Sequence, residues 1–155
     1  MPEENDQNSI YAMAEEIFAL TIVAWKERLK SRRGRAEELS EAQFLTLESL
    51  VQSPQNQTVG DILRTIAVAP AQMSRIIRSL EEDFDQPLVA CELNREDRRK
   101  IDVIITDHGR KLYEEFRDSR LTRTRELLAE LSETDRRDFI RVCGRMRELY
   151  NKEID

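Results

Sequence analysis

The chain has 155 residues, room for one domain with an oligomerisation element and enough apolar side chains to bury a core. Charged residues make up 36% and hydrophobic ones 39%, with four glycines and four prolines, a composition that speaks against sheet or disorder and for long, solvated, amphipathic helices. The formal net charge of −6 argues against a nonspecific nucleic-acid coat, because counterion release rewards cations presented to phosphates.

From Ser9 to about Leu29, Ile10, Met13, Ala14, Ile17, Leu20, Thr21, Ala24 and Trp25 recur at three and four, which predicts one helical stripe ended by the basic SRRGR. Ser40 opens S-E-A-Q, a capping box with Gln43, and Phe44, Leu47, Leu50 and Val51 carry a second helix to just before Pro54. SPQNQ reads as a turn or short strand. Thr58 then opens T-V-G-D, a short third helix with Val59, Ile62, Leu63 and Ile66 inward. Only Ala67, Val68 and Ala69 separate it from Pro70, which suits the first turn of a new helix because its missing N–H would have been unpaired there. Met73, Ile76, Ile77 and Leu80 form that helix's buried stripe.

Two helices joined by about three residues make a helix-turn-helix pattern, which any bundle corner can mimic. A hairpin after the second helix separates the two cases. LVACEL (88–93) and KIDVIIT (100–106) read as its strands, with Ile101, Val103 and Ile105 alternating with Asp102 and Ile104. Their connecting loop is rich in cations: Arg95, Arg98, Arg99 and Lys100 outnumber Glu96 and Asp97. Thr106 caps a further helix through about Leu131, carrying Leu112, Phe116, Leu127, Leu128 and Leu131. Ser132 opens S-E-T-D before a last helix, whose apolar face is Phe139, Val142, Cys143, Met146, Leu149 and Tyr150.

The expected fold class is therefore mainly α with a small β-wing: a winged helix-turn-helix flanked by N- and C-terminal helical extensions. The regions are 1–38 (N-terminal helix), 39–106 (winged helix-turn-helix) and 107–155 (C-terminal helices). An α-helix fits the major groove of B-DNA, while a narrow hairpin tip lays guanidinium groups along the neighbouring minor groove, whose negative potential attracts them.

From about Gln43 to about Leu112 the chain resembles the MarR family of bacterial regulators, through AQFLTLESL, TVGDIL, APAQMSRIIRSLE, LV and EDRRKIDVIITDHGRKL. The family's wing carries D-x-R, an alternating strand, a threonine and a glycine, matched here by Asp97, Arg99 and VIITDHG. The resemblance implies a homodimer whose dimerisation helices are the N-terminal helix and the last two. It also implies binding to double-stranded DNA at a pseudo-palindromic operator, repression as the commoner outcome, and release by a small aromatic effector or by oxidation.

Carried over residue by residue, the resemblance places Ala69, Ala71, Gln72, Ser74 and Arg75 on the groove-facing start of the recognition helix, with Arg78 extending that face. Gln and Arg pair with base edges, while Ser74 and Thr58 would bind phosphate oxygens that set register. Arg95 and Arg98 join Arg99 at the wing; Arg99 is the minor-groove arginine and Asp97 its orienting partner. The blander reading is a solvated hairpin tip, with Arg75 and Arg78 in weak surface pairs with Glu81 or Glu82.

The chain departs from the family at EEDFDQPLVACEL, about three residues longer than usual, where Pro87 replaces a glycine and Cys91 a commonly basic residue. Glu81, Glu82, Asp83 and Asp85 are then expected to point away from DNA. Cys91 reads as a strand-filling hydrophobe, Cys143 as packed in the last helix, and His108 as solvated in a helix's first turn. An effector crevice would be lined by Phe18, Ile22, Trp25 and Phe44, although aromatics at helical spacing are more often core.

No stretch reaches the roughly 20 apolar residues that span a bilayer, and the opening MPEENDQNS is acidic where a signal peptide is basic, so a cytoplasmic protein with no membrane partner is expected. Cys91 and Cys143 lack CxxC or Cys/His spacing, so neither a zinc site nor a disulfide framework is indicated. With no Ser/His/Asp set, phosphate-cradling glycine loop or metal-ligand cluster, neither enzyme activity nor a cofactor is expected. The rival reading is a winged-helix module that binds proteins and no DNA.

Overall fold

A computed structural model describes residues 2–31 and 39–152. Its elements run α1 (Pro2–Ser31), α2 (Glu41–Gln52), β1 (Gln57–Thr58), α3 (Val59–Ile66), α4 (Pro70–Glu82), β2 (Val89–Leu93), β3 (Ile101–Ile105), α5 (Asp107–Ala129) and α6 (Glu133–Lys152). The chain divides into two compact units, Met1–Glu38 and Leu39–Asp155. α1 belongs to the first and every other element to the second.

α1 begins at Pro2, seven residues before the expected Ser9. The apolar stripe starts only at Ile10, so a helix start set by the stripe comes too late; proline at the first helical position needs no N–H partner. Beyond Ser31, the SRRGR segment lies outside the described residues.

The capping serine and threonine residues start the helices of the second unit. Ser40 Oγ accepts from the Gln43 N–H at 3.2 Å while Gln43 Oε1 accepts from the Ser40 N–H at 2.8 Å, a complete capping box. Thr58 and Asp61 repeat the device at α3. After α3, Ala67 turns left-handed, at φ 51° and ψ 41°, and its N–H closes on the Leu63 carbonyl. This conformation costs a residue with a Cβ roughly 1 kcal/mol, and it makes room for Pro70 to start α4 three residues later.

Leu47, Ile62, Met73, Leu80, Leu88 and Val103 are almost wholly buried and form the centre of the core. Polar ties register the helices around it: Gln43 donates to Ser79 Oγ at 2.9 Å, joining α2 to α4, and Ser49 donates to Gln57 Oε1 at 2.7 Å, joining α2 to β1. Phe44 stacks on Tyr113 with centroids 5.3 Å apart and meets Phe116 at 5.1 Å, so α2 packs against α5. The Tyr113 hydroxyl donates to Glu48, and burial first and that carboxylate second push the phenol up to about 12.

The hairpin proves to be part of a three-stranded antiparallel sheet in the order β1-β3-β2. The short strand expected near SPQNQ is β1, which pairs Gln57 with Val103 and Thr58 with Asp102. β3 is the central strand, paired along one edge with β1 and along the other with β2, and its burial does not follow the simple alternation. Asp102 is only 8% exposed, whereas Ile101, near the open tip, is 45% exposed.

Candidate nucleic-acid interface

Met73, Ile76, Ile77 and Leu80 bind one side of α4 to the core, and helical geometry turns Ala71, Ser74, Arg75 and Arg78 to the opposite side. All four are exposed, as are Ala69 and Gln72 at the start of the helix. The Ser74 hydroxyl donates to the Pro70 carbonyl at 3.2 Å, which leaves the oxygen's lone pairs outward. Among the described residues, no carboxylate pairs with Arg75, Arg78, Arg95 or Arg98. The weak surface pairs of Arg75 and Arg78 with Glu81 or Glu82 are therefore not formed.

Arg99 at the wing tip is 92% exposed at its side chain, and its Nε sits 3.2 Å from Asp97 Oδ1. The same oxygen accepts from the Arg99 N–H at 3.1 Å. These bonds, the backbone one foremost, hold the Asp97 carboxyl below the usual carboxylate range. Asp97 thus contacts both the backbone and the side chain of Arg99.

Between α4, the start of α3 and the wing lies a cleft of about 580 Å³, lined by Thr58, Asp61, Arg64, Ser74, Arg78, Glu81, Cys91, Arg99 and Lys100 among others. It brings together Thr58, Ser74, Arg78 and Arg99 from the expected set. It adds Arg64, whose guanidinium pairs with Asp61, itself held below the usual carboxylate range chiefly by the Thr58 hydroxyl. Arg64 sits six residues beyond the cap and on no apolar stripe, so only the packing of α3 beside the wing reveals it. The Thr58 hydroxyl accepts from the Asp61 N–H at 3.2 Å and donates to Asp61 Oδ2 at 2.6 Å, so its first role is that of a helix cap.

Glu81 corrects an expectation: it lines this cleft and does not point away from the recognition surface. Four residues beyond Ile77 and one beyond Leu80, it lies on the flank of α4 that turns toward β2. Opposite it stands Cys91, which is exposed as a residue and so does not fill the strand as a buried hydrophobe. Burial of its sulfur first and the neighbouring Glu81 second push the thiol up to about 12. Near pH 8, iodoacetamide is expected to alkylate Cys91 more than about tenfold more slowly in the folded protein than in the urea-unfolded chain. Glu81→Gln should recover part of the rate; equal folded and unfolded rates in a mass-spectrometric time course would contradict this reading.

Of the expected effector residues, Phe18 and Trp25 are exposed and Ile22 half-buried on α1. Phe44 belongs to the second unit, where it stacks in the core as aromatics at helical spacing commonly do. His108, expected to be solvated, is half-buried in the first turn of α5. Among the described residues no group of His, Cys, Asp and Glu could hold a metal ion, and no helix is long and apolar enough to cross a membrane.

No protein-family model matches the sequence, and a search of curated proteins returns no match. Solved structures do match. A MarR-family protein from Bacillus stearothermophilus aligns with a TM-score of 0.76 at 15% identity, over 96% of this chain and 98% of that one. FabT of Streptococcus pneumoniae, crystallised in complex with DNA, aligns at 0.71 with 14% identity, over 92% and 98%. BpsR of Bordetella bronchiseptica, whose DNA binding is regulated by 6-hydroxynicotinic acid, aligns at 0.58 with 23% identity, over 84% and 92%. The chain has the winged-helix fold of the MarR-family structures, six helices with a three-stranded antiparallel wing sheet among the described residues.

Proposed function

We propose that the chain is a MarR-family transcriptional regulator of a bacterial cytoplasm, a sequence-specific DNA-binding homodimer that catalyses no reaction. One observation carries this reading: the outward side of α4 and the wing tip present cations that carboxylates among the described residues leave largely unpaired, despite the chain's net charge of −6. Arg75 and Gln72 read base edges in the major groove, Arg78 extends that face, and Ser74 and Thr58 meet phosphates. Arg99, held by Asp97 and flanked by Arg95 and Arg98, enters the minor groove.

Dimerisation is supported by the exposed apolar surface. Ile10, Tyr11, Met13, Phe18, Leu20 and Val23 are exposed on α1 and spread over most of its circumference. A helix apolar on more than one side needs more than one partner surface. Phe139, Ile140, Leu149 and Tyr150 on α6 are exposed as well. Two copies joined through these helices would bring their α4 helices to successive major grooves of a pseudo-palindromic operator. Repression follows from occupying that operator, and release follows when a small aromatic effector binds, as the regulated DNA binding of BpsR suggests.

Selection of genomic fragments by the purified protein tests the reading as a whole. Enrichment of fragments sharing an inverted repeat, with half-sites about one helical turn apart, is the expected result. No enrichment above input would identify a winged-helix module that binds only proteins.

A further inference from the structure

The wing tip is ordered from within. Asn94 Nδ2 donates to Asp102 Oδ1 at 2.8 Å, and Asn94 Oδ1 accepts from the backbone N–H groups of Glu96 at 3.0 Å and Asp97 at 2.9 Å. The Asn94 N–H closes on the Lys100 carbonyl at 3.0 Å, and the Lys100 N–H on the Asp97 carbonyl at 2.9 Å. Asp97 in turn holds Arg99 through two bonds to one oxygen. A continuous chain of polar contacts therefore runs from Asp102 through Asn94 to the arginine. Asp102 stands opposite Thr58 in the sheet, and Thr58 caps α3, so this chain starts from the helix-turn-helix itself.

Asp102 is a carboxylate only 8% exposed in the middle of the central strand, where an aliphatic side chain would avoid the cost of desolvation. Its burial is offset by the amide it accepts, and only a side chain that donates and accepts at once can serve both Asp102 and the two backbone N–H groups. The residues so ordered add little to the core: Arg95, Glu96, Arg98 and Arg99 are all exposed.

We propose that Asn94 and Asp102 form a latch that holds the wing tip in the shape presenting Arg99, making both of them positioning residues for duplex binding. The latch rests on the DNA-binding reading and deepens it. It contributes by lowering the ordering cost that a loose tip would incur on meeting DNA.

Two variants keep the wild-type net charge. Asn94→Ala removes the latch. Asn94→Asp combined with Asp102→Asn reverses it, since the new carboxylate would still accept both backbone N–H groups while the new amide, on the strand, donates to it. Amide hydrogen exchange at Glu96 and Asp97 is read on the DNA-free protein. Affinity is read on a random-sequence duplex at low salt, because phosphate contacts do not depend on sequence and the minor groove is read only coarsely. Asn94→Ala is expected to speed exchange and weaken duplex binding about tenfold while keeping the salt slope, since no cation is lost. The reversed pair is expected to restore both readouts to within about threefold of wild type.

Wild-type exchange and affinity in Asn94→Ala would overturn the proposal, as would a reversed pair no better than the alanine variant. Loss of the cooperative thermal transition in Asn94→Ala would also overturn it, because the pair would then hold the fold and not the tip. A wild-type protein that ignores the duplex would defeat the DNA-binding reading, and the exchange measurement would still decide the latch.

Discussion

Replacing Gly109 with alanine is expected to destabilise the protein by about 3 kcal/mol or more, the largest single effect the structure predicts. A Cβ at this position would lie 2.0 Å from the Leu88 carbonyl oxygen and 2.8 Å from its carbon. That backbone cannot easily yield. The Leu88 N–H donates to the Leu80 carbonyl at 2.8 Å, its own carbonyl accepts from the Thr106 N–H at 3.0 Å, and its side chain is fully buried. The Thr106 hydroxyl adds a 2.7 Å bond to the Pro87 carbonyl while accepting from the Gly109 N–H at 2.9 Å. At this crossing the end of α4, the entry to β2 and the start of α5 all meet. Gly144 is the internal control, because nothing lies within 4 Å of a Cβ there. Gly144→Ala should stabilise α6 by roughly 0.5–1 kcal/mol. Urea denaturation of both variants checks the pair; a loss below about 1 kcal/mol at Gly109 would mean that the crossing is looser than described.

Arg99→Ala is expected to leave the melting temperature almost unchanged and to weaken duplex binding by about 1–3 kcal/mol, with a salt slope shallower by about one. The two halves of this expectation have one cause. The Arg99–Asp97 pair is exposed on the arginine side, so it adds little to stability, and Arg99 stays available to a phosphate-lined groove. Arg99→Lys should recover the slope and only part of the affinity, because an ammonium keeps the charge but loses the planar fork. Mobility-shift titrations across a salt series, alongside thermal unfolding, separate these outcomes. Unchanged affinity at every salt concentration would remove the wing from the interface.

Local chemistry decided much of the fold in advance. The capping boxes at Ser40 and Thr58, the threonine cap at Thr106 and the proline start at Pro70 are contacts between residues at most four apart, so their patterns name the helix starts directly. The buried stripe Met73, Ile76, Ile77 and Leu80 follows from helical spacing alone, and it dictates which side of α4 remains outside. Arg75 and Arg78 were placed on that side by the family resemblance, and the wing cations stood out by their excess in a short loop between two strand-like stretches.

Where long-range packing intervened, the one-dimensional pattern failed. β3 became a central strand between β1 and β2, and its burial does not alternate: Asp102, bonded to Asn94, is buried, and Ile101, near the tip, lies outside. Glu81 and Cys91, ten residues apart, became neighbours only because the link from α4 returns through Leu88 to a strand beside it.

The sequence by itself determined the order and type of the elements, their caps, and the charge on the outward side of α4 and the wing, because each depends on contacts within a helical turn or on strand period. Only the tertiary structure decided the cleft between α3, α4 and the wing, the latch from Asp102 to Asn94 and the crowding of Gly109 against Leu88. Those features join residues that a chain brings together only once its core has closed, and no local periodicity encodes such a meeting.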